Sequence, residues 1–453
     1  MQIGRKDVLW SYAATFLQIG AGVILLPFVL KAFPQETMAI WTIFLTIITL
    51  SSMLDFGFNP SFARNVSYVV SGVKKLKKTG HLLVENNNTG EIDYSLFKGL
   101  INAMRWFYGR AALVLFILLV TAGTYYITII LRNYSYSHTE VYISWAILCI
   151  INSYSLYTLY YDSLLQGQGL VKRAKQIQAI AQIVYLLVAV VMILLQFNLI
   201  AVVSAQALSV IIRRVLSYYT IYTADFKRHL HGVIAQSRKE ILKLISPNAV
   251  KLGLTGLGGF LATRSAIIIG SLYLSLDVIA SYGITIQIIA IVSALSSVYF
   301  LTYQPKIAQY RTQSNLYEVK RLYLKACLLL FATFVFFGTG LIGFGDWLLS
   351  LIGSKTPLLP KSFVAFALFV FLLETNHAVA GGFLLTKNEV PFFKASLISG
   401  ATAVVLLFVF LNYTQMGVWA LILAPGIAQA CYQNWKWPMV VVKELNKSYI
   451  KTI

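Results

Sequence analysis

The sequence predicts an all-α, polytopic membrane protein with about twelve transmembrane helices in two six-helix lobes. Three observations lead there: an apolar composition, apolar runs about as long as a membrane span, and basic polar breaks that recur between those runs. Of the 453 residues, 58% are hydrophobic and 12% charged, with a mean hydropathy of +0.73. That balance is too apolar for a water-soluble domain. A hydrocarbon core about 30 Å thick takes a helix of roughly 20 apolar residues, and lipid obliges each span to satisfy its own backbone hydrogen bonds. Helices follow, because the alternating-polarity segments of about ten residues that a membrane barrel requires are absent. A formal charge of +21 would suggest a nucleic-acid partner in a soluble protein. Here the lysines fall in short loops between spans, so membrane orientation explains them and no nucleic acid is expected.

In windows of about 19 residues, the first six spans run near Val8 to Leu30, Met38 to Val66, Phe107 to Ile130, Tyr142 to Leu165, Ile177 to Phe197 and Leu199 to Tyr222. The second six run near Ser246 to Tyr273, Val278 to Tyr303, Leu322 to Phe344, Ser362 to Leu385, Phe392 to Leu411 and Gly417 to Val442. The chain thus reads as a first lobe over 1–224, a basic amphipathic linker over 225–245 and a second lobe over 246–453. Charge supports this topology. On the side of the N-terminus lie about 25 Lys and Arg, including Lys74, Lys75, Lys77 and Lys78, against about four (Lys31, Arg132, Lys355 and Lys361) on the other. The positive-inside rule then places both termini in the cytoplasm.

The run after Arg5 and Lys6 is too long for the h-region of a cleaved signal peptide, so the first helix is expected to stay. Cys149, Cys327 and Cys431 lie in different spans without metal-ligand spacing and read as small membrane hydrophobes, with neither a metal site nor redox chemistry. The sequons at Asn87 and Asn133 carry no weight. No Gly-rich phosphate loop ending in Gly-Lys-Ser or Gly-Lys-Thr is present, so ATP hydrolysis is not expected. The longest loop, around Lys74 to Lys98, is on the cytoplasmic side, and no sizeable external domain of the kind that membrane glycosyltransferases and ligases display is present.

The halves share a plan. The second span of each ends in an amide followed by proline, Asn59-Pro60 and Gln304-Pro305, and the fourth and fifth spans of each are joined by a tight basic turn, Leu164 to Val171 and Leu384 to Pro391. Six spans per half make this a parallel repeat about the membrane normal.

An ionisable side chain inside a span costs about 2.5 to 3.5 kcal/mol on insertion scales, so each is expected to face water or a partner. Arg264 lies well inside the seventh span, Glu374 and His377 near the middle of the tenth, and Asp55 in the inner half of the second. Arg213 and Arg214 enter the inner half of the sixth, while Arg64, Arg105, Arg110, Lys251 and Lys436 approach from inner ends. These cations outnumber the acids Asp55, Asp162 and Glu374. Excess positive charge inside a bundle is unstable unless an anion visits, and guanidinium matches phosphate oxygens in a bidentate way. A diphosphate-bearing substrate fits, with Arg264, Arg213, Arg214, Arg64 and Lys251 as its candidate ligands. Snorkelling toward the inner leaflet competes for Arg64 and Lys251, and an ion pair with a neighbouring acid competes for Arg264.

Asp55 and Asn59, four apart, share a helix face and either hold a cation together or cap a kink at Pro60; an ion pair from Asp55 to Arg110 or Arg214 is the alternative. Glu374 and His377, three apart, also share a face and suit either a proton relay, since His titrates near neutral pH, or a hydrogen-bonded helix contact. Asp55, Glu374 and His377 are therefore the ion-coupling candidates. Tyr157, Tyr160 and Tyr161 in the fourth span are candidates for stacking on sugars, with packing as the other reading. No cofactor is expected, and the coupling ion, Na+ or H+, stays open.

With the twelve-span layout, the segment Leu54-Asp55-Phe56-Gly57-Phe58-Asn59-Pro60-Ser61-Phe62-Ala63-Arg64 and the Gly167 to Lys175 turn, the chain resembles Wzx-type flippases, polysaccharide exporters of the multidrug/oligosaccharidyl-lipid/polysaccharide (MOP) superfamily. The resemblance carries Asp55 and Arg64 over directly and Arg264 by its span. It implies a V-shaped pair of lobes around a cationic cavity, alternating between inward-open and outward-open states in the bacterial inner membrane. It implies an undecaprenyl-diphosphate oligosaccharide as substrate, moved from the cytoplasmic to the periplasmic leaflet for O-antigen, capsule or related polymers. Partners implied beside the bilayer are a polysaccharide polymerase and assembly proteins. The process is transport and not enzymatic. The competing readings are an ion-coupled multidrug exporter of the same superfamily, for which acidic cavity walls are expected, and a membrane glycosyltransferase or ligase.

Overall fold

The computed structural model describes residues 5–74, 76, 92–312, 315–387 and 390–450, which are built from helices with no strand among them. The basic break at Lys75, Lys77 and Lys78, the sequon at Asn87 and part of the turn after Lys387 lie outside the described residues. Two compact units form: Met1–Phe33 with Ile47–Gly253, and Pro34–Thr46 with Leu254–Ile453. The chain opens with α1 (Arg5–Ala32), α2 (Gln35–Met53), α3 (Phe58–Val70), α4 (Tyr94–Leu118), α5 (Thr124–Ile130), α6 (His138–Tyr157), α7 (Tyr160–Gly167), α8 (Val171–Leu194), α9 (Asn198–Ile221) and the short α10 (Ala224–Leu230). It continues through α11 (Arg238–Thr263), α12 (Ser265–Gly270), α13 (Leu276–Thr312), α14 (Leu316–Leu351), α15 (Lys361–Leu385), α16 (Phe393–Tyr413), α17 (Val418–Ala430) and α18 (Gln433–Ile450). Helices α2 and α11 each begin in one unit and end in the other.

Every one of the twelve apolar windows is helical, and among the described residues nine helical stretches are long and apolar enough to cross a membrane. These correspond to the second to sixth and the eighth to eleventh windows. In the first and seventh the apolar part within the description is shorter, Gly20–Ala32 and Ala249–Thr263. The twelfth is divided into α17 and α18. Bilayer-facing surface is evident on α4, where Leu113, Val114, Ile117 and Leu118 are exposed, and on α14, where Leu328 and Phe336 are.

Four windows that read as continuous are broken. The second splits between α2 and α3, the fourth between α6 and α7, the seventh at Arg264 and the twelfth at Cys431 and Tyr432. Hydropathy windows miss such breaks because residues within them, Leu54, Phe56 and Leu159 among them, are themselves apolar. The first is the best defined. Phe56 (φ 46°) and Gly57 (φ 69°) adopt left-handed backbone, a region that costs a side chain such as Phe and is natural for Gly. The break then packs tightly against α11: a Cβ on Gly253 would lie 2.3 Å from Phe56 Cα, and one on Gly57 would lie 2.9 Å from the Ala249 carbonyl oxygen.

Both units repeat one packing scheme. Counting predicted spans from one to six in each half, spans one and five, two and three, two and four, three and four, four and six, and five and six are in contact in both. The amide before each proline ties span two to span four. In the first unit the Ser163 hydroxyl donates to Asn59 Oδ1 at 2.8 Å; in the second Gln304 Nε2 donates to the Gly382 carbonyl at 3.0 Å. Small residues let these pairs approach, since a Cβ on Gly167 would fall 2.6 Å from the Ala63 carbonyl oxygen, the close packing that membrane helices use in place of a hydrophobic drive.

Candidate functional site

In the first unit, α3, α7, α8 and α9 enclose a hollow of about 390 Å³, lined by Arg64, Asp162, Gln166, Lys175, Gln178 and Arg213 among others. Each charge is placed by helix geometry. Arg64 is one turn beyond Pro60, whose missing N–H costs nothing in the first turn of α3. Asp162 sits in the first turn of α7, created by the helix break before it. There it meets two guanidinium groups from α9: Arg213 Nη2 lies 3.0 Å from Asp162 Oδ2, and Arg214 Nη1 lies 3.2 Å from Asp162 Oδ1. The arginines differ in access. The Arg214 side chain is 3% exposed and also donates to the Ser155 carbonyl at 3.3 Å, whereas that of Arg213 is 35% exposed and lines the hollow. Lys175 donates to Gln178 Oε1 at 3.3 Å. One carboxylate therefore faces Arg64, Lys175, Arg213 and, behind it, Arg214, which leaves a formal surplus of positive charge around the hollow.

Asp55 stands in the break before α3. Its oxygens accept the Asn59 N–H at 3.0 and 3.2 Å, and Oδ1 accepts the Tyr108 hydroxyl at 2.6 Å. It caps α3, but the break it serves lies ahead of Phe58 and not at Pro60, which is inside the helix, and its side-chain partner is Tyr108 in place of Arg110 or Arg214. Arg110 instead lies over the Trp106 ring at 4.1 Å. Of the tyrosines, Tyr160 is 2% exposed and closed off by packing against Tyr161, with ring centroids 4.4 Å apart, and by Arg105, whose Nε donates to its hydroxyl at 3.3 Å. Tyr157 is exposed and Tyr161 half-buried. Lys251 is exposed on α11.

In the second unit Arg264 interrupts the seventh span, its N–H accepted by the Phe260 carbonyl at 2.8 Å. Its half-buried guanidinium is a charged neighbour of Glu374, with no carboxylate within 4 Å of it among the described residues. Glu374 adjoins Gln429 of α17 and lines a small hollow of about 10 Å³ with Thr263, Tyr282 and Pro425, room for about one water. His377 Nδ1 lies 2.7 Å from Asn434 Oδ1 of α18, a hydrogen bond that ties the tenth span to the twelfth. Glu374 and His377 thus engage different partners, and no hydrogen bond joins them among the described residues. A second charge cluster ties the ends of α13, α15 and α18, where Glu444 holds Arg311 and Lys387, each at 2.6 Å.

The sequence did not single out Tyr108, Lys175 or Glu444, because no spacing along the chain marks a partner that is remote in sequence. Asp162 was visible as an in-span acid, but its two arginines were not assigned to it.

No protein-family model and no curated protein matches the chain. Solved structures do. One is an inward-facing multidrug resistance MATE family transporter of the MOP superfamily, 15% identical, with a TM-score of 0.61 and 96% of each chain covered. Another is the lipid II flippase MurJ in an inward closed conformation, 14% identical, with a TM-score of 0.61 over 96% of this chain and 87% of that one. A third is a MOP superfamily transporter from Pyrococcus furiosus, 15% identical, with a TM-score of 0.56 over 97% and 94%, described as having a binding pocket of reverse polarity that suggests a different function. The chain is a polytopic helical membrane protein, and its fold is that of the MOP superfamily transporters.

Proposed function

We propose that this protein is a flippase that moves an undecaprenyl-diphosphate-linked oligosaccharide from the cytoplasmic to the periplasmic leaflet by alternating access. The observation that carries the proposal is the surplus of guanidinium and ammonium groups around the hollow of the first unit, where Arg64, Lys175 and Arg213 outnumber Asp162. A diphosphate offers the oxygens and the charge that such a set binds, and guanidinium binds them as a fork. A cationic drug would meet repulsion there. The described polarity reversal in one structural neighbour supports reading pocket charge as the discriminator among transporters of this fold. The MATE-type neighbours keep the multidrug exporter as the competing reading.

In this proposal Arg64 and Arg213 contact the diphosphate, Lys175 adds charge, and Arg214 holds Asp162 in place. Arg264 is a separate diphosphate candidate in the second unit, and Lys251 a peripheral one. Tyr157 and Tyr161 offer ring faces to sugars, while Tyr160 supports them from within. Asp55, Glu374 and His377 remain the coupling candidates for Na+ or H+. No bond is made or broken in the substrate.

The test is translocation of a fluorescent lipid-linked oligosaccharide in proteoliposomes, alongside efflux of a cationic dye. Arg213→Ala and Arg64→Ala are expected to lower translocation at least tenfold at unchanged protein level, with no dye efflux by the wild type. Arg264→Ala is expected to abolish it and Arg264→Lys to retain part. Dye efflux by the wild type, with lipid translocation indifferent to Arg64 and Arg213, would assign the chain to drug export.

A further inference from the structure

A second basic site, separate from the hollow lined by Arg64 and Arg213, lies where the segment after α10 crosses the start of α4. Lys98 Nζ donates to the carbonyls of Leu230 (3.0 Å) and Val233 (2.9 Å), and the Gln236 N–H donates to the Ser95 carbonyl at 3.2 Å. The Tyr94 and His229 rings stack at 4.8 Å beside them. These bonds tether the segment to the start of α4, and beside the crossing lies an open hollow of about 590 Å³ lined by Asn102, Arg105, Trp106, Ala235, Gln236 and Arg238. Both charges in its lining, Arg105 and Arg238, are positive, and Arg110 flanks it over the Trp106 ring. Arg110 lies 4.1 Å and Arg238 5.7 Å from the Trp106 ring centroid, and Arg105 donates to the Tyr160 and Tyr222 hydroxyls at 3.3 Å each. No carboxylate pairs with these three arginines among the described residues.

The second observation is what continues from it. Asn102, Trp106, Arg110, Leu113 and Ile117 recur at helical spacing on one face of α4. Leu113, Val114 and Ile117 are 58%, 51% and 51% exposed, so the basic and aromatic hollow opens onto an uncovered apolar stripe. A cation cluster over an interfacial Trp, followed along the same face by bare aliphatic side chains, matches a ligand with an anionic head and acyl chains.

We propose that this hollow binds the phosphate head group of an anionic glycerophospholipid from the leaflet on the side of the linker, with its acyl chains along Leu113 and Ile117. A free phosphate would satisfy the arginines and leave the stripe unexplained. The occupant is a resident lipid, not the transported one, and the proposal stands whether or not the chain moves a lipid-linked sugar.

The experiment uses the full chain in detergent micelles and the quenching of its tryptophan fluorescence by brominated phosphatidylglycerol or brominated phosphatidylcholine, at equal mole fractions. Phosphatidylglycerol is expected to quench at a lower mole fraction. That difference is expected to vanish in Trp106→Phe, which removes the reporter among the chain's 8 tryptophans. Arg110→Gln and Arg238→Gln, both at exposed positions, are each expected to weaken the preference about fivefold, the factor that about 1 kcal/mol per cation near an anionic surface converts to. Arg238→Lys is expected to keep most of it. Equal quenching by the two lipids would overturn the proposal, as would a preference untouched by both Gln variants, displacement by millimolar inorganic phosphate, or a response to polyprenyl diphosphate alone.

Discussion

Asp55 shows how one carboxylate takes a structural duty that its position in a span would not suggest. It supplies capping oxygens to α3 from two residues before Gly57 and receives the Tyr108 hydroxyl, so its oxygens are met by hydrogen-bond donors, and no cation pairs with it among the described residues. Capping and ion coupling make different demands, and substitution separates them. Asp55→Asn keeps an acceptor for the Asn59 N–H and is expected to cost well under 1 kcal/mol, whereas Asp55→Ala, which also strands the Tyr108 hydroxyl, is expected to cost about 1 to 2 kcal/mol. Thermal unfolding in detergent measures both. If Asp55 also couples an ion, Asp55→Asn loses transport at near wild-type stability, and retained transport reduces the residue to a cap. The same separation of duties applies to the adjacent arginines. Arg214 is buried against Asp162, and its loss leaves a buried carboxylate with half its pairing, while Arg213 reaches the hollow.

At the scale of the element, the broken helices place the polar groups. The left-handed backbone at Phe56 and Gly57 ends α2 and turns Asp55 toward the first N–H groups of α3. The break before α7 brings Asp162 to the arginines of α9, and Arg264 occupies a break of its own. These discontinuities need close neighbours to hold them. Gly253 provides one, since a methyl there would meet the Phe56 backbone at 2.3 Å, which no side-chain rotation relieves. Gly253→Ala is therefore expected to lower the unfolding temperature in detergent by several degrees. Gly259→Ala, in the same helix with nothing within 4 Å of the added carbon, is expected to leave it unchanged or raise it, because Ala is favoured over Gly in a helix by up to about 1 kcal/mol. Equal melting temperatures for the two variants would mean that the helix break does not depend on this contact.

At the scale of the molecule, the proposed flippase reading makes the surplus of positive charge around the hollow of the first unit a receptor for an anionic cargo. Export of a diphosphate from a negatively charged interior runs down the electrical gradient, with about 2.3 kcal/mol available per net charge moved per 100 mV. In proteoliposomes, a potential negative on the side that presents the substrate is expected to speed lipid-linked oligosaccharide translocation, and a reversed potential to slow it. Indifference to both would mean that cations of the protein travel with the phosphates and cancel their charge, or that an ion gradient supplies the drive.

Much of this architecture was legible in the amino-acid sequence. Composition and apolar run length determined a helical membrane protein, because a bilayer admits few backbone solutions, and all twelve predicted windows are helical. The paired amide-proline positions, Asn59 and Gln304, were legible as a shared feature of the halves, and the structure alone showed that both tie the second span to the fourth. Only the tertiary structure decided where spans break and which cations are open to a ligand. Arg213 and Arg214 are neighbours with the same side chain, yet one lines a hollow and the other is sealed against Asp162, 52 residues away. Hydropathy is a sum along the chain and survives averaging over a window. The state of a buried charge depends instead on which donors and acceptors lie within a few ångströms, and helix packing supplies those from residues that no local spacing connects.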